Sequence, residues 1–257
     1  MNERSKSNPC KSYVGLFLIM NIALLTAAGT GTRMHQDIPK QFIHVDNKPI
    51  IVHTMEAFQK HPSIDAIIVV TLPSWEAVLW AYARQFNISK LKWVVPGGET
   101  GQQSIRNGLD KLKELFPDED VNVMIHDGNR PLVTAEIISD SLVTFAKRGC
   151  AVAVIPCTEV VFESDDGISS CVSTEREKLF RTQTPHTYKL NDLLWAHEEA
   201  AKRGIKGTAA SCMLMKELGR ETYFSKGSEE NLKITTLDDL RIFKALLHTR
   251  QDDWIKD

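Results

Sequence analysis

A repeated alternation limits the fold more than any other feature of this chain. Short apolar runs at 22–25, 66–70, 92–95, 121–125 and 151–155 are separated by stretches with helical spacing. A run that short and that apolar reads as a strand covered on both faces. Helical patterns occupy 50–59, 74–86 and 102–115. Another follows Thr134, a capping residue, with Ile137, Ile138, Leu142 and Phe145 on its apolar face and Gly149 just past its end. This alternation predicts an α/β fold: a Rossmann-like, mostly parallel sheet with helices on both faces.

The pattern changes after Pro156. Short β-like pieces at 160–163 and 169–173 flank the turn Asp165-Asp166-Gly167, which predicts an excursion from the sheet, a β-arm over about 157–178. Helices are predicted again at 191–202, 209–218 and 236–247. In the last, Thr236 and Asp239 stand at capping-box spacing, with aspartate in place of Glu or Gln. With no repeat, linker or low-complexity tract, the expectation is one domain over 20–250 after a disordered extension at 1–19.

The N-terminus has two readings. A polar, basic start followed by a mostly apolar stretch at 13–28 resembles a signal peptide. However, Asn21 interrupts the run and a glycine loop follows at once, so a buried strand at 21–26 is predicted. A membrane-spanning helix would need ~20 continuous apolar residues. The formal net charge of -2 over 257 residues provides no global field for nucleic acid or an anionic membrane, so neither is an expected partner. The five cysteines, at 10, 150, 157, 171 and 212, show no C-x-x-C spacing. They read as reduced thiols and imply a cytoplasmic location.

Three loops carry the chemistry. In the first, Ala27, Ala28, Gly29, Thr30, Gly31 and Thr32 follow the first strand and end at Arg33. Small residues let backbone N–H groups approach phosphate oxygens. The spacing matches neither the Walker loop nor G-x-G-x-x-G. Arg33 and Lys40, the latter in Pro39-Lys40-Gln41, add two fixed cations suited to a triphosphate attacked at its α-phosphorus. The second loop, Gly97-Gly98, follows the strand ending at Val95 and is succeeded by Ser104, so it offers backbone and a hydroxyl to a base edge. The third is His126-Asp127-Gly128-Asn129-Arg130-Pro131, in which Asp127 can take Mg²⁺ and Arg130 a phosphate.

The order A-A-G-x-G-x-R-M, P-K-Q, G-G, H-D-x-x-R-P, T-P and N-x-K-[IV]-T resembles the 2-C-methyl-D-erythritol 4-phosphate cytidylyltransferases and the related ribitol-5-phosphate cytidylyltransferases, from about Met20 to Leu247. The resemblance implies a nucleotide-diphospho-sugar transferase-like fold. It implies transfer of CMP from CTP to a phosphorylated polyol with release of pyrophosphate, Mg²⁺ as cofactor, and a homodimer joined through the β-arm. Carried over by position, Arg33, Lys40 and Lys233 serve catalysis. Ala27, Ala28, Gly29, Thr30, Gly31, Gly97, Gly98, Ser104 and Asp127 bind CTP, with Asp127 also at the metal. Arg130, Glu159, Arg176 and Thr184 bind the acceptor, and Arg176 reaches into the partner's site.

The chain departs from the family pattern on the acceptor side. Glu159 and Val160 stand where Asp-Thr is usual, so a hydroxyl is missing. Gly207-Thr208-Ala209 lacks the usual acid, and Gly101 stands where arginine is usual. His186 stands where the family often has Gln and reads as pocket wall. A site that bonds a hydroxyl discriminates strongly, so these changes point to an altered acceptor, with a pentitol phosphate such as ribitol 5-phosphate favoured over methylerythritol phosphate. A sugar-1-phosphate nucleotidyltransferase and an inactive nucleotide-binding protein are the rival readings. The His-Asp-x-x-Arg-Pro and Asn-x-Lys-Ile-Thr motifs disfavour the first. The joint presence of Arg33, Lys40, Asp127 and Lys233 disfavours the second.

Overall fold

The computed structural model describes residues 19–29, 38–119, 121–208 and 210–249. At its centre lies β1 (Asn21–Ala27), so the apolar N-terminal run is a strand. It pairs in parallel with β4 (Ala66–Thr71) on one side and β6 (Asn122–Asp127) on the other. The full sheet has seven strands in the order β11-β7-β10-β6-β1-β4-β5, where β5 is Leu91–Pro96, β7 Ala151–Pro156, β10 Phe180–Lys189 and β11 Phe224–Lys226. All neighbours run parallel except β10, which is antiparallel to β6 and to β7. Two hairpins stand outside it: β2 (His44–Val45) with β3 (Lys48–Pro49), and β8 (Val161–Glu163) with β9 (Val172–Thr174).

The helices are α1 (Ile50–Lys60), α2 (Glu76–Gln85), α3 (Gly101–Leu115), α4 (Ala135–Arg148), α5 (Leu190–Arg203), α6 (Ser211–Glu217) and α7 (Leu237–Thr249). They begin and end where local chemistry dictates. Thr100 accepts from the Gln103 N–H at 3.0 Å to start α3, and Thr134 accepts from the Ile137 N–H at 3.3 Å to start α4. Gly149, at φ +84°, closes α4 in the left-handed conformation. The aspartate version of the capping box is real: Asp239 accepts from the Thr236 N–H at 2.8 Å, while Thr236 Oγ1 accepts from the Asp239 N–H at 3.2 Å.

Successive strand residues point to opposite faces, so each continuous apolar run feeds two cores. Ile22, Leu24, Ile68 and Val70 pack with Leu109 and Leu112 of α3, Leu193 of α5 and Leu214 of α6. Ala23, Leu25, Ile67 and Val69 pack with Met55 and Phe58 of α1, Leu79 of α2 and Ile138 of α4. Burying one such side chain contributes roughly 1.5–3 kcal/mol, which fixes the register of every central strand. A third, smaller core seats α7: Phe243 and Ile234 pack on Val45, Ile50 and Leu132.

Strand β10 breaks the sequence rules. It is polar and contains Pro185, and a proline has no N–H for the ladder, so central strands exclude it. The sheet accommodates it with an irregularity. Its pairing with β7 shifts register between Thr182 and His186, where the proline sits after a cis peptide bond.

Candidate active site

The parallel strands β1, β4, β5 and β6 all deliver their following loops to one edge of the sheet, where an open α/β sheet places its ligand crevice. A cavity of about 700 Å³ opens there. Of the positions singled out from sequence, Ala27, Ala28, Gly29, Lys40, Gly98, Ser104, Asp127, Arg130, Thr184 and Lys233 line it. Gly97 lies behind this wall. A Cβ there would stand 2.2 Å from Ala28 Cβ and 3.2 Å from Ser104 Oγ, so glycine lets the two loops meet. Thr30, Gly31 and Arg33 lie outside the described residues. Glu159 and Arg176 do not line the cavity of their own chain. Glu159 is exposed, and Arg176 pairs with the neighbouring Glu177 at 3.0 Å.

One wall is mostly backbone and hydroxyls, with Glu99 on it, and is tightly bonded. The Gly98 N–H donates to Ser104 Oγ at 3.0 Å, and that hydroxyl donates to the Thr100 carbonyl at 2.9 Å. Gln41, buried inside Pro39-Lys40-Gln41, donates to the carbonyls of Ala27 and Gly29, so the first loop is held from within the same motif that supplies Lys40. Across the mouth of this wall, Gln102 accepts from the Thr208 N–H at 3.1 Å.

The other wall is charged. Asp127 Oδ2 accepts from Arg130 Nε at 2.9 Å and Oδ1 from Lys233 Nζ at 2.9 Å. Burial alone would push the Asp127 carboxyl up. Lys233 and Arg130 overrule it and hold it well below the usual carboxylate range. Arg130 Nη1 also donates to the Asn231 carbonyl at 2.7 Å. A buried relay fixes the loop beneath. His126 Nε2 lies 3.1 Å from the Arg130 carbonyl, which can only accept, so Nε2 carries the proton and Nδ1 is an acceptor. Thr184 therefore donates to His126 Nδ1 at 3.0 Å while accepting from the Asp127 N–H at 3.0 Å. Burial pushes His126 down to about 4, which keeps this arrangement neutral at pH 7. Thus Thr184 reaches the cavity, and its hydroxyl also positions Asp127.

Several contributors were not visible in the sequence. Asn129, at a departure from the family pattern, donates its side-chain amide to the Ile234 carbonyl, and the Ile234 N–H donates to the Asn129 carbonyl at 2.9 Å. This clamp brings the segment with Lys233 to Asp127. Asn231 donates to the Thr184 carbonyl at 2.8 Å. Gln41, Asn129 and Asn231 are buried amides, and only tertiary contacts reveal their partners.

Comparison with known proteins agrees with this geometry. The family profile described as "IspD: 2-C-methyl-D-erythritol 4-phosphate cytidylyltransferase" matches residues 21–249. A ribitol-5-phosphate cytidylyltransferase of Lacticaseibacillus paracasei is 40% identical over 90% of this chain and 100% of its own. A 2-C-methyl-D-erythritol 4-phosphate cytidylyltransferase of Clostridium acetobutylicum is also 40% identical, over 89% and 97%. Among solved structures, the 4-diphosphocytidyl-2C-methyl-D-erythritol synthase of Anaerococcus prevotii shares the fold with a TM-score of 0.76 at 22% identity, covering 90% of this chain and 99% of that one.

Proposed function

This chain belongs to the IspD family of 2-C-methyl-D-erythritol 4-phosphate cytidylyltransferases, and from that premise we propose that it transfers CMP from CTP to a pentitol phosphate, ribitol 5-phosphate foremost, releasing pyrophosphate. The observation that carries this reading is the pairing of two unlike walls in one cavity: neutral backbone at Gly98 and Ser104, and cations at Arg130 and Lys233 held on Asp127. The first suits a base, the second phosphates. The first-matched relatives, among them those of Lacticaseibacillus paracasei and Streptococcus agalactiae, are ribitol-5-phosphate cytidylyltransferases, which supports the choice of acceptor.

In this reaction an oxygen of the acceptor phosphate attacks the α-phosphorus of CTP. A new P–O bond forms, the bond to the β-phosphate breaks, and pyrophosphate leaves with the electron pair. The acceptor phosphate is already an anion at neutral pH, so no general base is needed. What the chain supplies is placement of two polyanions and suppression of their repulsion. Lys40 and Arg33 neutralise charge on the transition state, with Lys40 on the cavity wall. Lys233 bridges the two phosphate positions. Arg130, with Thr184 beneath it, takes the acceptor phosphate. Ala27, Ala28, Gly29, Thr30, Gly31, Gly97, Gly98 and Ser104 hold the nucleotide.

Mg²⁺ fits the residues present as a phosphate-borne ion. Each Asp127 oxygen accepts one cation and keeps a free lone pair. No cluster of three or more His, Cys, Asp or Glu that could hold a metal occurs among the described residues, so phosphates would complete the ligand set at Asp127. When bound, the ion supplies further neutralisation of the phosphate charge.

The β8–β9 hairpin supports a homodimer. Phe162 is exposed on one face of it and Val172, opposite Glu163, on the other, with Ile168 90% exposed between the strands, and such exposed apolar side chains suit a partner surface. In that dimer Arg176 meets the acceptor in the partner's cavity, and Glu159 is a further acceptor-binding position. Residues 20–250 form one cytidylyltransferase domain carrying this arm. The free thiols at Cys150, Cys157, Cys171 and Cys212 suit a cytoplasmic location. No helix among the described residues is long and apolar enough to cross a membrane.

The test is pyrophosphate release from CTP against a panel of polyol phosphates. Ribitol 5-phosphate or another pentitol phosphate is expected to support turnover. Turnover with methylerythritol phosphate alone would reassign the acceptor. Release with a sugar 1-phosphate, or with another NTP in place of CTP, would sink the reading of the reaction itself.

A further inference from the structure

Nearly every buried polar atom around the cavity has a partner within the chain. Ser104 and Thr184 spend their hydroxyl protons on Thr100 and His126, and the amides of Gln41 and Asn129 on backbone carbonyls. Two groups on the cavity wall do not. His186 Nε2 and Ser211 Oγ are buried, with the residues 2% and 4% exposed, and neither atom has a hydrogen-bond partner. An unmade bond of this kind costs roughly 1–3 kcal/mol, which a hydrogen-bonding ligand in the cavity would recover.

The chemistry of that ligand follows from the ring. His186 sits on β10, opposite Ile125 of β6 and Val152 of β7, and lines the cavity. Burial holds the ring neutral at pH 7, so it brings no charge to attract phosphate. A neutral imidazole nitrogen can give one hydrogen bond to, or take one from, an O–H group. Ser211, at the start of α6, can either donate or accept. Both groups suit a hydroxyl-bearing chain rather than a phosphate.

Resting on the cytidylyltransferase reading above, we propose that His186 and Ser211 are specificity-determining residues that hold hydroxyl groups of the acceptor polyol. They take the place of the hydroxyl that Val160 does not provide. The acceptor's phosphate goes to the cations at Asp127, and its hydroxyls go to these two atoms.

The experiment uses the full chain with CTP, the best pentitol phosphate from the panel and its monodeoxy analogues. The variants are His186→Leu, His186→Gln and Ser211→Ala, each checked for an unchanged melting curve. His186→Leu and Ser211→Ala are each expected to lower kcat/KM for the acceptor roughly tenfold, the worth of one hydrogen bond. The loss should appear in the acceptor KM, with the KM for CTP little moved. Each variant should lose nothing further against the one deoxy analogue that lacks its hydroxyl. His186→Gln, which can still accept an O–H, should recover part of the loss. Equal losses against every deoxy analogue, or a loss that falls on CTP or on 2′-deoxy-CTP discrimination, would assign these atoms to the nucleotide and overturn the proposal. If His186→Leu misfolds, the isosteric Ser211→Ala decides the outcome alone. Failure of the wild-type chain to release pyrophosphate with any polyol phosphate is a different result and refutes the parent reading instead.

Discussion

The two walls of the cavity solve opposite problems. The Gly97–Ser104 side is backbone brought close by missing side chains and locked by short neutral hydrogen bonds. The Asp127 side is a set of charges that neutralise one another. On the proposed function, the first wall is shaped once, at folding. The second must exchange partners, because an incoming phosphate would compete with Asp127 for Arg130 and Lys233. Sensitivity to mutation should therefore differ in kind: on one side through shape, on the other through rate.

The sharpest test of the contrast is Lys233→Ala. If Lys233 meets the developing anion as proposed, its loss should lower kcat/KM by about 10²–10³, and stability should fall as well, because Lys233 is a cation that holds the buried Asp127 carboxylate ionised. A change below threefold in pyrophosphate release would remove Lys233 from the catalytic set. Lys40→Ala should give a loss of the same order in kcat.

The first wall should respond to Gly97→Ala through packing. The new methyl meets Ala28 Cβ, which has no rotamer to retreat into. Overpacking of this kind costs about 1–3 kcal/mol, so urea unfolding should show that loss, and the KM for CTP should rise more than the KM for acceptor. An unchanged KM for CTP would break the assignment of this wall to the nucleotide.

Acid sharpens the comparison further. Burial pushes His126, His186 and His197 each down to about 4, whereas an unfolded histidine titrates near 6.5. Between those values the unfolded chain binds more protons, so stability is lost as pH falls from about 6.5 towards 4. Asp127 works in a different window. Its folded carboxyl lies below the unfolded value of 3.8, so its contribution is present above that value and is lost only as pH falls further. Unfolding free energy measured from pH 7.5 to 4.5 should therefore decline, with a slope approaching three protons. A flat profile to pH 5 would show that these rings are not held neutral.

The smallest effect is expected on the hairpin. Phe162→Ser and Ile168→Ser change exposed positions, so monomer stability should move within about 0.5 kcal/mol. The same changes should shift sedimentation towards monomer if the arm joins two copies.

Legibility in the sequence followed physical locality. The parallel strands and capped helices announced themselves, since runs such as 66–70 and caps such as Thr134 act through neighbours in the chain. Two strands did not. Strand β10 hides behind Pro185 and its polar residues, and the three-residue β11 is too short to show a period. The site divided in the same way. Its glycine loops and its cations were readable, because small or charged residues in a βα turn have few other uses. The amides of Gln41 and Asn129, and the bare atoms of His186 and Ser211, were not. Their significance lies in which partner each has or lacks, and that is decided only when distant segments meet.

The clamp between Asn129 and Ile234 makes the end of the chain part of the chemistry. Lys233 precedes Ile234, and Ile234 is seated in the same small core as Phe243 of α7. No residue of the last helix lines the cavity, yet the helix anchors the segment that brings Lys233 to Asp127. Cleavage between residues 236 and 249 should therefore disarm the enzyme while leaving the central sheet folded, and the loose fragment should be able to restore activity when added back in trans.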